Sequence, residues 1–504
     1  MTTLRSLFVG DKQLMPHQIT AVQWMIQREA DGTWPGGFLC DEMGLGKTVT
    51  TVGLLLNFPM KRTLILGPLA VLHQWKSLLL EAGLGVFELE SNSWVCKGNH
   101  GVKKQAYLTN YDKLTTSEHL FTQSFHRLIC DEAHILRNDE SKKWSAIKNL
   151  KTLTRWFLTG TPIVNRLNDF TSLLKLLNPN CGGISMLSAQ ELMNEIGLYR
   201  TQTDLKHHLR DSLPPEPEVT RHFIEFTSQK EANFYRGIQG ILLDQLEDLM
   251  QSAHFHMHEF MTLILHLRQL SIHPQIYIES LRKKYGESYT QKDWNCDSSK
   301  IGKLIDILKT EKEGHGYVVF CQFHDEMELL EKRFKEEGYK GAIYKYHGGL
   351  SASNRNKVLE DCEKSVKRNS VTSALSSMDI LDMLAPHLPK LPEEVCKYVI
   401  DPFRGGNHTI LLAQIHSAGT GLNLQFMDRV VFLTPWWTAS LMDQAVGRVL
   451  RLGQQKKVHI HYLTLAEEME HSINIDNYIN TRVEQKRELC TSLLNAANHQ
   501  LLPD

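Results

Sequence analysis

Residues 36–48 read GGFLCDEMGLGKT: a short apolar run, then a glycine-containing loop, then the start of a helical pattern over Thr48 to Asn57. In such a loop unblocked backbone N–H groups and the helix N-terminus converge on one anion, so the string predicts a phosphate cradle at the end of a buried strand. The loop residues Asp41, Glu42, Met43, Gly44, Leu45 and Gly46 would wrap the phosphates, with Lys47 reaching the β- and γ-phosphates and the Thr48 hydroxyl holding Mg²⁺. Asp41 stands where the P-loop pattern GxxxxGK[ST] has its first glycine, and GxGKT alone also suits an ordinary tight turn.

A second string gives the first its context. LICDEAH at 128–134 delivers two adjacent carboxylates at the end of another apolar run, which is where ligands sit in an open parallel sheet. Asp131 would bind Mg²⁺ through water, and Glu132 would orient and deprotonate an attacking water. A third string, DQAVGRVLRLGQ at 443–454, places Arg448 and Arg451 three apart on a helical pattern, so that both guanidinium groups can face one side and meet charge building on a γ-phosphate. Without the first two, it reads as a solvated basic helix.

Outward from these strings, RTLILGP, QAYLTNYD, HRLICDEAH and TRWFLTGTP repeat the run-then-loop pattern, separated by helical stretches such as Leu69 to Leu80. Strands alternating with helices predict a parallel sheet covered on both faces. LPPEPE at 213–218 breaks the series, and Ser228 to Leu281 carries helical periodicity. A second series follows in YVVFCQF, AIYKYHGG, TILLAQI, RVVFLTP and HIHYLTL, ending at 465. The fold class expected is therefore α/β, with one lobe over 1–212, a helical insertion and linker over 213–297, a second lobe over 298–470 with an insertion near 363–398, and a helical tail over 471–504 that packs back on one lobe.

The 504 residues are long enough for several cores, and 42% hydrophobic with 22% charged residues is an ordinary globular balance. Lys plus Arg number 56 against 57 for Asp plus Glu, so no uniform basic field exists to hold nucleic acid, and any such binding must come from local patches. The nine cysteines contain no CxxC pair, which suits neither a zinc site nor a disulfide framework and points to a reducing compartment. No apolar stretch is long enough to cross a membrane, and no membrane partner is expected.

In this order the strings resemble the Swi/Snf-like branch of the superfamily-two helicase-related ATPases, the double-stranded DNA translocases that include chromatin remodellers. LMPHQITAVQWM at 14–25, LGPLAVLHQW at 66–75, LTGTP at 158–162, LRQLSIHP at 267–274, SSKI at 298–301 and HSAGTGLNL at 416–424 extend the match, and the branch's own P-loop normally lacks the first glycine. The resemblance implies two RecA-like lobes facing each other across an ATP cleft and ATP and Mg²⁺ as cofactors, with the arginine pair acting from the second lobe. It also implies an adenine contact at Gln18 and coupling roles for Thr159 and Thr161. Nucleic-acid contacts would fall on His73, Gln74, Thr109, Asn110, Gln322, Ser417, Thr420 and Trp437.

The activity implied is a DNA-stimulated ATPase moving on duplex DNA, with nucleosomes or transcription proteins as further partners and the nucleus as its compartment. A strand-separating helicase and an ATP-binding regulatory scaffold are the alternatives. Departures from the pattern are Gly447 and Leu450 where many relatives carry Asp and His, Thr438 after Trp437, and a longer stretch between Arg355 and Phe403. No ring finger, bromodomain or chromodomain string accompanies them.

Three smaller signals have bland readings. His254, His256 and His258 lack a third ligand on one helical face, so a solvated surface is expected rather than a metal site. Ile380, Leu381, Leu384 and Leu388 have helical spacing and would pack on the second lobe or dock a partner. Trp24, Trp75 and Trp156 fall within apolar patterns and read as core residues.

Overall fold

The computed structural model describes the chain apart from residues 1–2, 33, 100, 118–123, 210–212, 252–255, 297, 312–313, 378–407, 419–421, 452, 467–473 and 498–504. A small hairpin, β1 (Phe8–Val9) and β2 (Lys12–Gln13), precedes the helix Pro16–Asp31. The first large sheet is built from β3 (Gly36–Leu39), β4 (Arg62–Gly67), β5 (Gly85–Glu90), β6 (Ser93–Gly98), β7 (Gln105–Asn110), β8 (Arg127–Asp131), β9 (Thr154–Leu158) and β10 (Gly197–Leu198). Its order is β10-β3-β9-β8-β4-β7-β5-β6, parallel throughout except for the antiparallel pair β5 and β6.

The second sheet contains β11 (Glu218–Ile224), β12 (Gly316–Cys321), β13 (Ala342–Tyr346), β14 (Thr409–Gln414), β15 (Arg429–Phe432) and β16 (His459–Leu465), in the order β11-β16-β15-β12-β14-β13, all parallel. Two α/β lobes with parallel sheets are thus present, and every apolar run read as a strand forms one.

The reason lies in two-sided burial. Neighbouring residues of one strand point to opposite faces. Phe38, Leu64, Leu66, Cys130 and Phe157 enter one core of the first lobe, while Leu39, Ile65, Ile129, Trp156 and Leu158 enter the other. The second lobe repeats this, with Val318, Phe320, Leu411 and Ala413 on one side and Tyr317, Val319, Ile410 and Leu412 on the other. A strand buried on both faces reads as a continuous apolar run, which is the signal the sequence carried.

Four strands of the two large sheets lacked that signal. β5 and β6 lie at one end of the first sheet and keep polar residues half-exposed, β10 has only two residues, and β11 is an edge strand whose Glu218, Arg221 and His222 interrupt any apolar pattern. Because β11 pairs with β16 along its whole length, the second lobe's sheet begins inside the segment expected to be helical linker. The rest of that segment is helical, over Gln229–Gln251, Met257–Ile272 and Pro274–Tyr285.

The tail corrects another expectation, because the helix Ile475–Leu494 packs on both lobes rather than one. Ile475, Ile479 and Val483 join the cluster formed with the helical insertion, whereas Cys490, Leu493 and Leu494 sit in the first lobe's core. Gln190 of the first lobe donates to the Ser492 carbonyl and hydroxyl, both at 3.0 Å. The helix Ala352–Ser377 begins ahead of the insertion near 363–398 and runs into it. Ile380, Leu381, Leu384 and Leu388 lie outside the described residues, as do Thr420 and His254. Among the described residues no helix is long and apolar enough to cross a membrane, and no cluster of His, Cys, Asp and Glu is arranged to hold a metal.

Candidate nucleotide-binding site

Strand β3 ends at Leu39 and the loop through Gly46 leads directly into the helix Lys47–Asn57. Gly46 sits at φ 81° as the residue before that helix, a conformation that favours glycine, and a Cβ there would come 2.5 Å from the Gln18 side-chain amide and push it aside. The Lys47 ammonium donates to the carbonyls of Asp41 at 2.5 Å and Glu42 at 3.4 Å. Gln18 donates to the Leu45 carbonyl at 3.2 Å and accepts from the Met15 N–H at 3.0 Å. The glutamine read as an adenine contact is therefore tied to the loop itself.

Asp41 does not face the phosphate cradle. Its carboxylate is buried against the Arg200 guanidinium, whose Nε donates to Oδ1 at 3.0 Å while Nη2 donates to Oδ2. The residue in the place of the first P-loop glycine is thus an anchor, and of the loop aspartate only the backbone carbonyl turns toward Lys47. The chain around Arg200 backs the whole loop. Cys40 N–H donates to Leu198 O at 2.7 Å, Glu42 N–H to Arg200 O at 2.9 Å, Gln202 N–H to the Glu42 carboxylate at 2.6 Å, and the Gln202 side chain to Met43 O at 3.1 Å. None of this backing was legible as a motif.

The pairing makes a prediction about stability. Arg200 and Asp41 are both almost fully buried, so Arg200→Ala leaves an uncompensated carboxylate in the interior. Urea unfolding should register a loss of about 3–5 kcal/mol. A loss under ~1 kcal/mol, the range of an exposed pair, would mean that the pair is not holding the loop.

Asp131 closes strand β8 with each polar group engaged. Its backbone carbonyl accepts from the Tyr111 hydroxyl at 2.7 Å, Oδ1 accepts from the Glu132 N–H at 2.9 Å, and Oδ2 accepts from the Trp75 indole N–H at 2.7 Å. Trp75 is a core residue as expected, and it is also a partner of the site, which sequence reading missed. Burial and the neighbouring Glu132 charge raise the Asp131 carboxyl above its ordinary value, while the Trp75 donor and the Lys47 charge oppose them. Glu132 adopts φ 50°, ψ 49°, in the left-handed region that few non-glycine residues visit.

From the second lobe, Arg448 and Arg451 line the same cleft of about 370 Å³ as Gly44, Gly46, Lys47, Thr48, Asp131 and Glu132. Burial lowers Arg448, and the Glu132 and Asp131 charges act in the other direction, so the guanidinium lies within electrostatic reach of both carboxylates. Burial and then the Arg448 charge bring Arg451 down to about 10, and its Nε donates to Gly447 O at 2.9 Å. Asn423 and Gln425 add polar groups to this wall that the sequence did not single out.

Among the described residues lining the cleft, the oxygen donors open to a cation are the Thr48 hydroxyl, the carboxylates of Asp131 and Glu132 and the side-chain amide oxygens of Gln74, Asn423 and Gln425, with no thiol or imidazole. An all-oxygen set with few protein ligands fits a hard ion that keeps several waters, as Mg²⁺ does.

Thr159 is buried at the end of β9, and its hydroxyl accepts from the Thr161 N–H at 3.2 Å. Between them, Gly160 lies close enough that a Cβ would come 3.9 Å from the Lys47 ammonium. Of the residues read as nucleic-acid contacts, His73 and Gln74 are exposed, and Asn110, Gln322 and Ser417 are half-buried near the C-terminal ends of β7, β12 and β14. Gln74 also lines the cleft. Thr109 is only 3% exposed, so that strand offers Asn110 alone to a ligand, and Asn110 already caps its helix by accepting from the Lys113 N–H. Trp437 packs with the helical insertion and with the tail helix, its ring 6.2 Å from that of Tyr478 on the tail.

Residues 17–184 match the SNF2-related domain, and residues 299–383 and 385–453 match the helicase conserved C-terminal domain. The chain is 24% identical over 500 residues to a probable global transactivator of Orgyia pseudotsugata multicapsid polyhedrosis virus, covering 94% of this chain and 90% of that protein. It is 25% identical over 600 residues to transcription termination factor 2 of Drosophila melanogaster, covering 91% of this chain but only 55% of that longer protein. Among solved structures, the Sulfolobus solfataricus SWI2/SNF2 ATPase core in complex with dsDNA is similar at 22% identity and a TM-score of 0.39, over 99% of this chain and 96% of that one.

Proposed function

We propose that this chain, which belongs to the SNF2-related, helicase-like ATPases and hydrolyses ATP, spends that hydrolysis on movement along double-stranded DNA, sliding or displacing proteins bound there and so acting on transcription. The observation that carries the reading is that Lys47, Thr48, Asp131 and Glu132 of one lobe and Arg448 and Arg451 of the other line a single cleft. A nucleotide touching both walls favours the closed arrangement, and its hydrolysis releases the walls, which is how one chemical step becomes a domain motion.

In this reading Lys47 exchanges its carbonyl partners for the β- and γ-phosphates, and Gln18 turns to the adenine. Glu132 orients and deprotonates the attacking water, and the arginine pair meets the charge on the γ-phosphate. Thr48 and Asp131 would hold Mg²⁺, which when bound neutralises charge on the phosphate oxygens. Thr159 and Thr161 link this site to the nucleic-acid face through Gly160.

Duplex DNA would lie along the C-terminal ends of the strands, touched at phosphates by His73, Gln74, Asn110, Gln322 and Ser417. Contacts to phosphate fix register without reading sequence, and a near-neutral chain can bind this way with an affinity that falls steeply with salt. The reading places the protein in the nucleus, with nucleosomes or transcription proteins as the displaced partners.

ATP turnover measured in parallel with no nucleic acid, single strands, duplex DNA and RNA tests the proposal. Stimulation by duplex above the other three is the expected result, and equal turnover in all four contradicts it. Displacement of a triplex-forming strand without separation of a simple duplex distinguishes translocation from strand separation. Full biological function from a Lys47→Ala chain would instead favour a regulatory scaffold.

A further inference from the structure

We propose that Trp75 is a positioning residue for the carboxylate that holds the catalytic cation, setting the rotation of Asp131 by a buried hydrogen bond. The proposal rests on the ATP-site reading above and deepens it.

Once its backbone is held by strand β8 and by the Tyr111 hydroxyl, the Asp131 side chain still has two rotations to fix, about Cα–Cβ and about the bond to its carboxylate. The Glu132 N–H on Oδ1 belongs to the next residue in the chain and moves with it. The Trp75 N–H on Oδ2 comes from a different element, the helix Leu69–Glu81, and is the contact that ties the carboxylate to the body of the lobe. Trp75 is 1% exposed and packs with Ile65, Leu79, Leu108 and Ile129, so its ring has no freedom to follow a rotating carboxylate.

The chemistry of the donor suits the task. An indole N–H can only donate, so the direction of the bond is fixed, and being neutral it orients the carboxylate without cancelling the charge a cation needs. A lysine or arginine in its place would compete with the cation for the same oxygen. A carboxylate offers about four acceptor sites, and one donor on each oxygen leaves the remainder for the cleft. Mg²⁺ demands near-ideal octahedral geometry and keeps several of its waters, so the carboxylate that orients such a water is felt as affinity when it rotates.

The test is binding of an N-methylanthraniloyl ATP probe to the full chain, first in EDTA and then across a Mg²⁺ titration. Trp75→Phe keeps most of the ring packing and removes the N–H. Its probe affinity in EDTA should stay within about twofold of wild type, while the Mg²⁺ concentration giving half of the metal-dependent change rises ~10- to 100-fold, the range for losing a partner that orients a metal ligand. An unchanged Mg²⁺ midpoint overturns the proposal.

If Trp75→Phe also loses affinity in EDTA, the benzothiophene isostere of tryptophan introduced at position 75 decides, because it preserves shape and lacks only the N–H. The Mg²⁺ midpoint must then rise with the isostere, and a wild-type midpoint refutes the role. A wild-type chain whose probe binding ignores Mg²⁺ would instead overturn the reading of the cleft itself, which separates the two failures.

Discussion

Arg448→Ala is expected to lower ATP turnover by about 10³- to 10⁵-fold while nucleotide binding persists, because the lost guanidinium acts on charge that develops only as the γ-phosphate departs. Its placement supports so large a value. Arg448 is 5% exposed and feels both carboxylates of the opposite lobe. Its segment is held firmly: the Arg448 carbonyl accepts from Leu424 N–H at 3.0 Å, and the Gln454 side chain donates to the carbonyls of Gln425, Met427 and Val449. A guanidinium fixed this way loses little on moving from ground state to transition state. Single-turnover hydrolysis beside equilibrium binding of a fluorescent ATP analogue separates the two effects, and a fall below about tenfold in hydrolysis would remove Arg448 from the chemistry.

Glu132→Gln should trap bound ATP, with turnover down by roughly 10²- to 10⁴-fold, the usual contribution of a positioned general base. The amide keeps the shape of the side chain and gives up the proton acceptor. The backbone at Glu132 occupies the left-handed region and its N–H donates to Asp131 Oδ1, neither of which involves the group being exchanged. A filter-binding measurement of retained ATP after dilution checks this. Rapid release of unhydrolysed ATP, or turnover near wild type, would point to another base.

How much of this was legible depends on how far apart in sequence the interacting groups lie. The strands of both lobes and the three motif strings are local signals: two-sided burial makes continuous apolar runs, and a phosphate loop needs its glycines, lysine and threonine side by side. The Asp41–Arg200 pair joins residues 159 positions apart, and nothing near Arg200 announces its partner. Asp41 was accordingly assigned to the cradle when its carboxylate faces the interior. Trp75 was read as core because an apolar pattern hides the one polar atom that reaches Asp131. β11 escaped notice because an edge strand with one solvated face lacks the run that marks a central one. The tail was legible as a helix, but the division of its buried residues between two lobes is a property of tertiary packing that periodicity alone does not carry.

Residues from two lobes acting on one nucleotide should show in the binding of ADP with aluminium fluoride, a mimic of the departing γ-phosphate. Wild type should bind the mimic far more tightly than ADP alone, and Arg448→Ala should lose that added affinity while its affinity for ADP stays as it was. If Arg448→Ala keeps the full preference for the mimic, the second lobe does not reach the nucleotide.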